Sequence, residues 1–114
     1  MKIRYDFVTN SSSSNFIIEN MTENQLTLVD FIKENEHLIL NYITENNFWI
    51  KNKYEYTFDK ILDSAKEDGI YFPPKSKNKY TFSNEVKSVV SNVLAAVLIR
   101  AGSSSSFKWK FVSR

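Results

Sequence analysis

Residues 107–112 read Phe107-Lys108-Trp109-Lys110-Phe111-Val112, and their alternation decides the fold. Side chains of a strand point to opposite faces in turn. Phe107, Trp109 and Phe111 therefore share one aromatic face, while Lys108 and Lys110 share the other. A strand with such a face needs partner strands and a covering layer. Residues 2–8 alternate in the same way, with Ile3, Tyr5 and Phe7 opposed to Lys2, Arg4 and Asp6. Residues 15–19, N-F-I-I-E, read as another short strand, forming a hairpin with 2–8 around a polar serine loop. The expected fold is α+β, with a small antiparallel sheet built from both termini and covered on one face by about three helices. The Lys/Arg face is left to solvent or a partner. All of 1–114 reads as a single domain, since 114 residues leave no room for a second.

The helices read between the strands. Thr22 and Gln25 have capping-box spacing and precede an apolar stripe through Leu26, Val29, Ile32, Ile39 and Ile43. That predicts a helix over 23–46 with a break near Asn35. Residues 48–56 are ambiguous, with Tyr54 and Tyr56 suggesting a short strand. Residues 58–68 read as a helix capped by Thr57 and closed by Gly69. Tyr71-Phe72 and Tyr80-Thr81-Phe82 flank P-P-K-S-K-N-K, which predicts a long hairpin with Lys75, Lys77 and Lys79 at its tip. Residues 84–101 form the strongest apolar helix, with Gly102 as its C-cap. This helix is expected to cover Phe107, Trp109 and Phe111.

Composition excludes several chemistries. The chain has no Cys, so it holds no disulfide, thiol nucleophile or Cys-type zinc site. Its one histidine, His37, cannot form a multi-His metal site. Two distant glycines, Gly69 and Gly102, are too few for a phosphate-cradling loop. The start, MKIRYDFVTN, has no long apolar run, so neither a signal peptide nor a membrane segment is expected. Asn, Lys, Ile, Phe and Tyr supply 49 residues, while Gly, Ala, Pro and Arg supply 11. These groups have AT-rich and GC-rich codons respectively, so part of the lysine content reflects the genome.

Residues 1–18, M-K-I-R-Y-D-F-V-T-N-S-S-S-S-N-F-I-I, carry Phe7, Val8, Thr9, Asn10, four serines and Phe16 in the order F-V-T-N-S-S-S-S-x-F. This stretch resembles a recurrent N-terminal signature of small, otherwise dissimilar, uncharacterised proteins of bacteria and their phages. Asn15 stands where many of those proteins have a fifth serine. The resemblance implies a bacterial or phage origin and no particular activity.

Four constellations bear on function. Asn10 with Ser11, Ser12, Ser13 and Ser14 precedes one strand, and a second serine run, 103–106, precedes another. Pairing of those strands is expected to bring both loops to one end of the sheet, where hydroxyls and amides bind anions. The plainer reading is two solvated turns. One turn either side of His37 lie Lys33 and Asn41, poor metal ligands, and Glu34 alone offers a carboxylate on its face, so His37 reads as structural. Asp59, Asp63 and Glu67 share a face, but interleaved lysines mark that face as solvated. The charge is polarised: −4 over 21–47, against +3 over 70–83 and +3 over 103–114.

The expected function is a non-enzymatic, cytoplasmic protein-interaction module without cofactor or metal. One form is an inhibitor of a host defence complex. The interaction candidates are Asn10, the four serines after it, Lys108 and Lys110. Weak nucleic-acid binding through Lys75, Lys77 and Lys79 is the alternative. An enzyme or small-ligand binder using the serine loops is a third reading.

Overall fold

A computed structural model describes residues 13–45, 57–83 and 88–113. Along the chain these form β1 (Ser13–Asn20), β2 (Leu26–Thr27), α1 (Leu28–Glu34), α2 (Glu36–Glu45) and α3 (Phe58–Asp68). β3 (Tyr71–Phe72), β4 (Lys77–Ser83), α4 (Val89–Val97), β5 (Gly102–Ser103) and β6 (Phe107–Ser113) follow. The fold is α+β. An antiparallel sheet of order β4-β1-β6-β5 uses strands from near both termini, and β2 and β3 form a separate two-stranded pair. The expected strand 2–8, the ambiguous stretch 48–56 and the first turn of the expected helix 84–101 lie outside the described residues.

β1 is the central strand because both its edges are taken, by β4 and by β6. Its inward residues Ser14, Phe16, Ile18 and Asn20 are all buried, while the alternate ones are half-exposed. Ser13 and Ser14 thus belong to the strand and not to the expected loop, because the alternation begins there.

The inner face is aromatic. Phe16 packs on Phe82 and Phe111, with ring centroids 6.1 and 5.7 Å apart. Phe31 of α1 lies 4.9 Å from Phe107 and 5.3 Å from Trp109, both edge-to-face. Phe107 and Trp109 are buried as expected, but the ring above them comes from α1. The later helix α4 packs on α3 and, equally, on β4. There Ser91 Oγ accepts from Ser83 N at 2.8 Å and donates to Ser83 O at 3.1 Å. The aromatic residues of β6 thus meet a ring of matching edge-to-face geometry, which the short valines of α4 do not supply.

The first helix starts later than its apparent cap. Thr22 N and Thr22 Oγ1 both donate to Asn20 Oδ1, at 2.9 and 2.8 Å, so Thr22 closes a turn after β1. The capping box belongs to Thr27 and Asp30. Thr27 Oγ1 accepts from Asp30 N, and Asp30 Oδ2 accepts from Thr27 N at 2.8 Å. The break near Asn35 is real: buried Asn35 caps α1, and its Nδ2 donates to Phe31 O. α3 runs from its Thr57 cap to Gly69, which has φ +67°, as its spacing predicts.

The long hairpin of 70–83 does not form. β3 pairs with β2, while β4 pairs with β1. Fully buried Asn20 redirects the chain here. Its Nδ2 bonds Phe72 O and Pro73 O at 3.0 and 3.1 Å, and its backbone N bonds Ser76 O at 2.9 Å. The prolines shrink to a tight turn in which Lys75 adopts φ +51°. Lys75 is therefore the only one of the three lysines in a turn; Lys77 and Lys79 are strand residues. Gly102 is not a C-cap either. Leu98 closes α4, and Gly102 opens β5 opposite Trp109.

Candidate functional site

The register sets three rows of side chains across the outer face of the sheet. Lys77, Glu19 and Lys108 form one row, Lys79, Ile17 and Lys110 the next, and Thr81, Asn15 and Ser113 the third. Adjacent strands lie about 4.8 Å apart, so the two lysines of a row stand roughly 10 Å from each other across β1. All four lysines are exposed, whereas Ile17 and Glu19 are half-buried between them. The third row is neutral and ordered. Thr81 Oγ1 donates to Asn15 Oδ1 at 2.7 Å, and Asn15 Nδ2 donates to Ser113 Oγ at 3.1 Å. A groove of about 500 Å³ opens on this face, lined by Ile17, Glu19, Lys77, Gly102, Lys108 and Lys110 among others.

Chemically the face is a cationic rectangle with an apolar spot at Ile17 and one internal carboxylate at Glu19. Four lysines against one glutamate leave it strongly positive. It joins the candidates Lys108 and Lys110 to Lys77 and Lys79, which the sequence reading assigned to a different feature. Lys75 is not part of it and anchors its turn instead, with its backbone N donating to Thr22 O at 2.9 Å. Ile17 and Glu19 were absent from the sequence-derived candidates. Their signal was present in the I-x-E alternation of 17–19, matched by K-x-K at 77–79 and at 108–110.

The serine candidates are differently placed. Asn10, Ser11 and Ser12 lie outside the described residues. Ser13 stands opposite Ser83, and Ser14 is buried opposite Phe82. The second run is used structurally. The Ser104 hydroxyl donates to the Glu34 carboxylate, and Ser106 N donates to Glu34 Oε2 at 2.9 Å. Burial pushes the Glu34 carboxyl up, but the hydrogen bonds from Ser104 and Ser106 outweigh it and hold the group below the usual range. The two serine segments do not share an end of the sheet. β1 and β6 are antiparallel, so Ser13 lies toward Ser113 while Ser106 lies beside Met21, whose N donates to Ser106 O at 2.8 Å.

His37 is exposed on α2, and Asp59, Asp63, Glu67 and Asp68 are exposed on α3. Asp68 accepts from Ser88 Oγ at 2.9 Å, at the N-cap of α4. Among the described residues no three His, Asp or Glu side chains converge on a point that a metal could occupy. No helix among them is long and apolar enough to cross a membrane. Comparison with protein-family models, with curated proteins and with solved structures finds no match to this chain.

Proposed function

We propose that this chain is a non-enzymatic protein-interaction module that engages an acidic partner surface through the outer face of its sheet. The observation that carries this reading is the register, which gathers Lys77, Lys79, Lys108 and Lys110 around Ile17 on a single exposed face. Paired lysines flanking an apolar spot suit a protein surface that offers both carboxylates and a hydrophobic contact. The hydroxyls of 104 and 106 are tied to Glu34, which weakens the small-ligand reading. The N-terminal signature supports a bacterial or phage origin and, with it, a cytoplasmic site of action. Inhibition of a host defence complex by occupying one of its surfaces is the form we favour.

Nucleic-acid binding is the second reading, favoured by the same four lysines. Two features count against it. Glu19 sits within the rectangle and repels phosphate, and the three rows present neither an arginine nor an aromatic ring to a base. The test is affinity capture from native-cell extract at about 150 mM salt, with wild type and Lys79→Glu/Lys110→Glu compared. The expected result is a stoichiometric protein partner held by wild type and lost by the variant, with both proteins equally folded by circular dichroism. A partner retained by the variant would overturn the assignment of this face.

A further inference from the structure

Both edges of β1 are taken, so the hairpin expected between 2–8 and 15–19 has no edge on which to form. An edge is open elsewhere among the described residues. β5 pairs with β6 only at Gly102–Trp109 and Ser103–Lys108, and no described strand flanks β6 beyond that point. Phe107 O faces β5, where it accepts from Ser104 N at 2.8 Å. The main-chain groups of an antiparallel strand alternate between its two edges, so the N–H and C=O of Phe111 face the same side, past the end of β5. The apolar cover thins at the same place. Phe107 is fully buried and Trp109 nearly so, but Phe111 is half-buried and Val112 is 46% exposed. An edge of this kind is a template for a further strand.

We infer that Tyr5-Asp6-Phe7-Val8 of this same chain closes the edge as a strand parallel to β6, with Asp6 beside Lys110 and Phe7 beside Phe111. Three observations select this occupant. The first is the tether. The chain enters β1 at the end where Asn15 pairs with Ser113, which is the end where the β6 edge is open. A segment that arrives there and turns back into β1 runs parallel to β6. From Val8 to Ser13 it crosses the width of β6 and climbs about three residues, a diagonal of roughly 14 Å, and the five links between them reach about 17 Å. The second is the pattern. The alternation of 2–8 sets Asp6 next to exposed Lys110, an opposite charge, and Phe7 next to the half-buried ring of Phe111. The third is the state of the rival edge. At the same end of the sheet the main chain of Ser83 in β4 is already engaged by α4, its N donating to Ser91 Oγ and its O accepting from it. An edge closed by the chain itself does not recruit a strand from another molecule, which guards the sheet against edge-to-edge association. This closure leaves the lysines of β4 untouched and does not depend on what binds them.

The chain has no cysteine, so a disulfide between two introduced cysteines reports their proximity without background. Such a bond needs Cα atoms within about 7 Å. Asp6→Cys/Lys110→Cys is compared with Asp6→Cys/Lys79→Cys, which probes the far side of β1, under mild oxidation of dilute full-length protein. The first pair is expected to close within one molecule and the second to stay reduced. Amide exchange at Phe111 is followed in wild type and in Phe7→Asp, with the amides of β1 as the check that the fold is intact. Exchange at Phe111 is expected to be slow in wild type, and Phe7→Asp is expected to lose that protection. Equal oxidation of both cysteine pairs, or rapid exchange at Phe111 in wild type, would overturn the closure. A protected Phe111 amide without the 6–110 disulfide would also overturn it and give the edge to another segment, such as 46–56. Disulfide-linked dimers in place of the intramolecular bond would give the edge to a second copy. The partner reading fails on a different result, capture that survives Lys79→Glu/Lys110→Glu.

Discussion

Glu34 shows how one side chain can serve the fold while looking like chemistry in the sequence. As part of an E-x-x-H pair with His37 it has the spacing of a metal ligand. In the fold it closes α1 while His37 lies on α2, and it collects a hydroxyl from Ser104 and an amide from Ser106 at the start of β6. These bonds favour the ionised form and hold its pKa below the unfolded value against the opposing effect of burial. The sign of the linkage follows. The contact contributes its full stability above the unfolded glutamate range, about pH 4 to 5, and loses it as pH falls through the lower folded value. Glu34→Gln is expected to cost about 0.5–1 kcal/mol at pH 7, a modest sum because Glu34 is largely solvated and its bonds are screened. At a pH below the folded value the gap should shrink toward zero, since wild type is then neutral as well. Urea melts of both proteins at the two pH values measure it, and a gap that stays constant would mean the charge plays no part.

Elements declared by local periodicity were legible, and those set by distant partners were not. The alternation of 107–112, the Thr57 and Gly69 boundaries of α3 and the break at Asn35 could be read directly, because each depends on residues within one or two turns of chain. The partner of β4 could not be read. Its choice of β1 over β3 depends on Asn20, more than fifty residues away, bonding Phe72 O and Pro73 O. For the same reason the lysine face was half legible: each K-x-K pair was visible, but only the register puts them on one surface. Gly102 was misread because a glycine after a helix ordinarily ends it, whereas here the indole of Trp109 requires the missing side chain. A Cβ at 102 would lie 2.7 Å from Trp109 Cζ2 and 3.0 Å from Cε2. The ring cannot retreat easily, since it is buried against Phe31 and its Nε1 donates to Arg100 O at 3.1 Å. Gly102→Ala is therefore expected to destabilise by about 1–3 kcal/mol, the usual cost of overpacking, with a blue or red shift in Trp109 fluorescence. A thermal melt unchanged from wild type would show that the β5–β6 hairpin opens freely to admit the methyl group.

At the scale of the molecule, one sheet buries its inner face in the core and leaves its outer face to the partner proposed above. The inner face holds the aromatic core, and the outer face holds charge that contributes little to folding. Substitutions on the outer face should therefore separate binding from stability, which makes salt dependence a clean discriminator of partner class. Were the four lysines to neutralise four phosphates of a duplex, affinity would fall as about the 3.6th power of salt, or roughly 150-fold between 50 and 200 mM. Lysines on phosphates carry no base information, so such binding would be indifferent to sequence, with dissociation constants of about 10⁻⁴ to 10⁻⁶ M. An acidic protein partner also loses its electrostatic attraction in salt. It keeps, however, the apolar contact around Ile17, and that contact does not weaken as ions are added. We expect duplex DNA to bind no better than this non-specific range and to be released by about 200 mM salt, while the protein partner stays bound. The parallel titrations are run on wild type and on Lys77→Glu/Lys108→Glu. Nanomolar binding to DNA or RNA at about 150 mM salt, far outside the non-specific range and abolished by that double substitution, would make nucleic acid the ligand of this face.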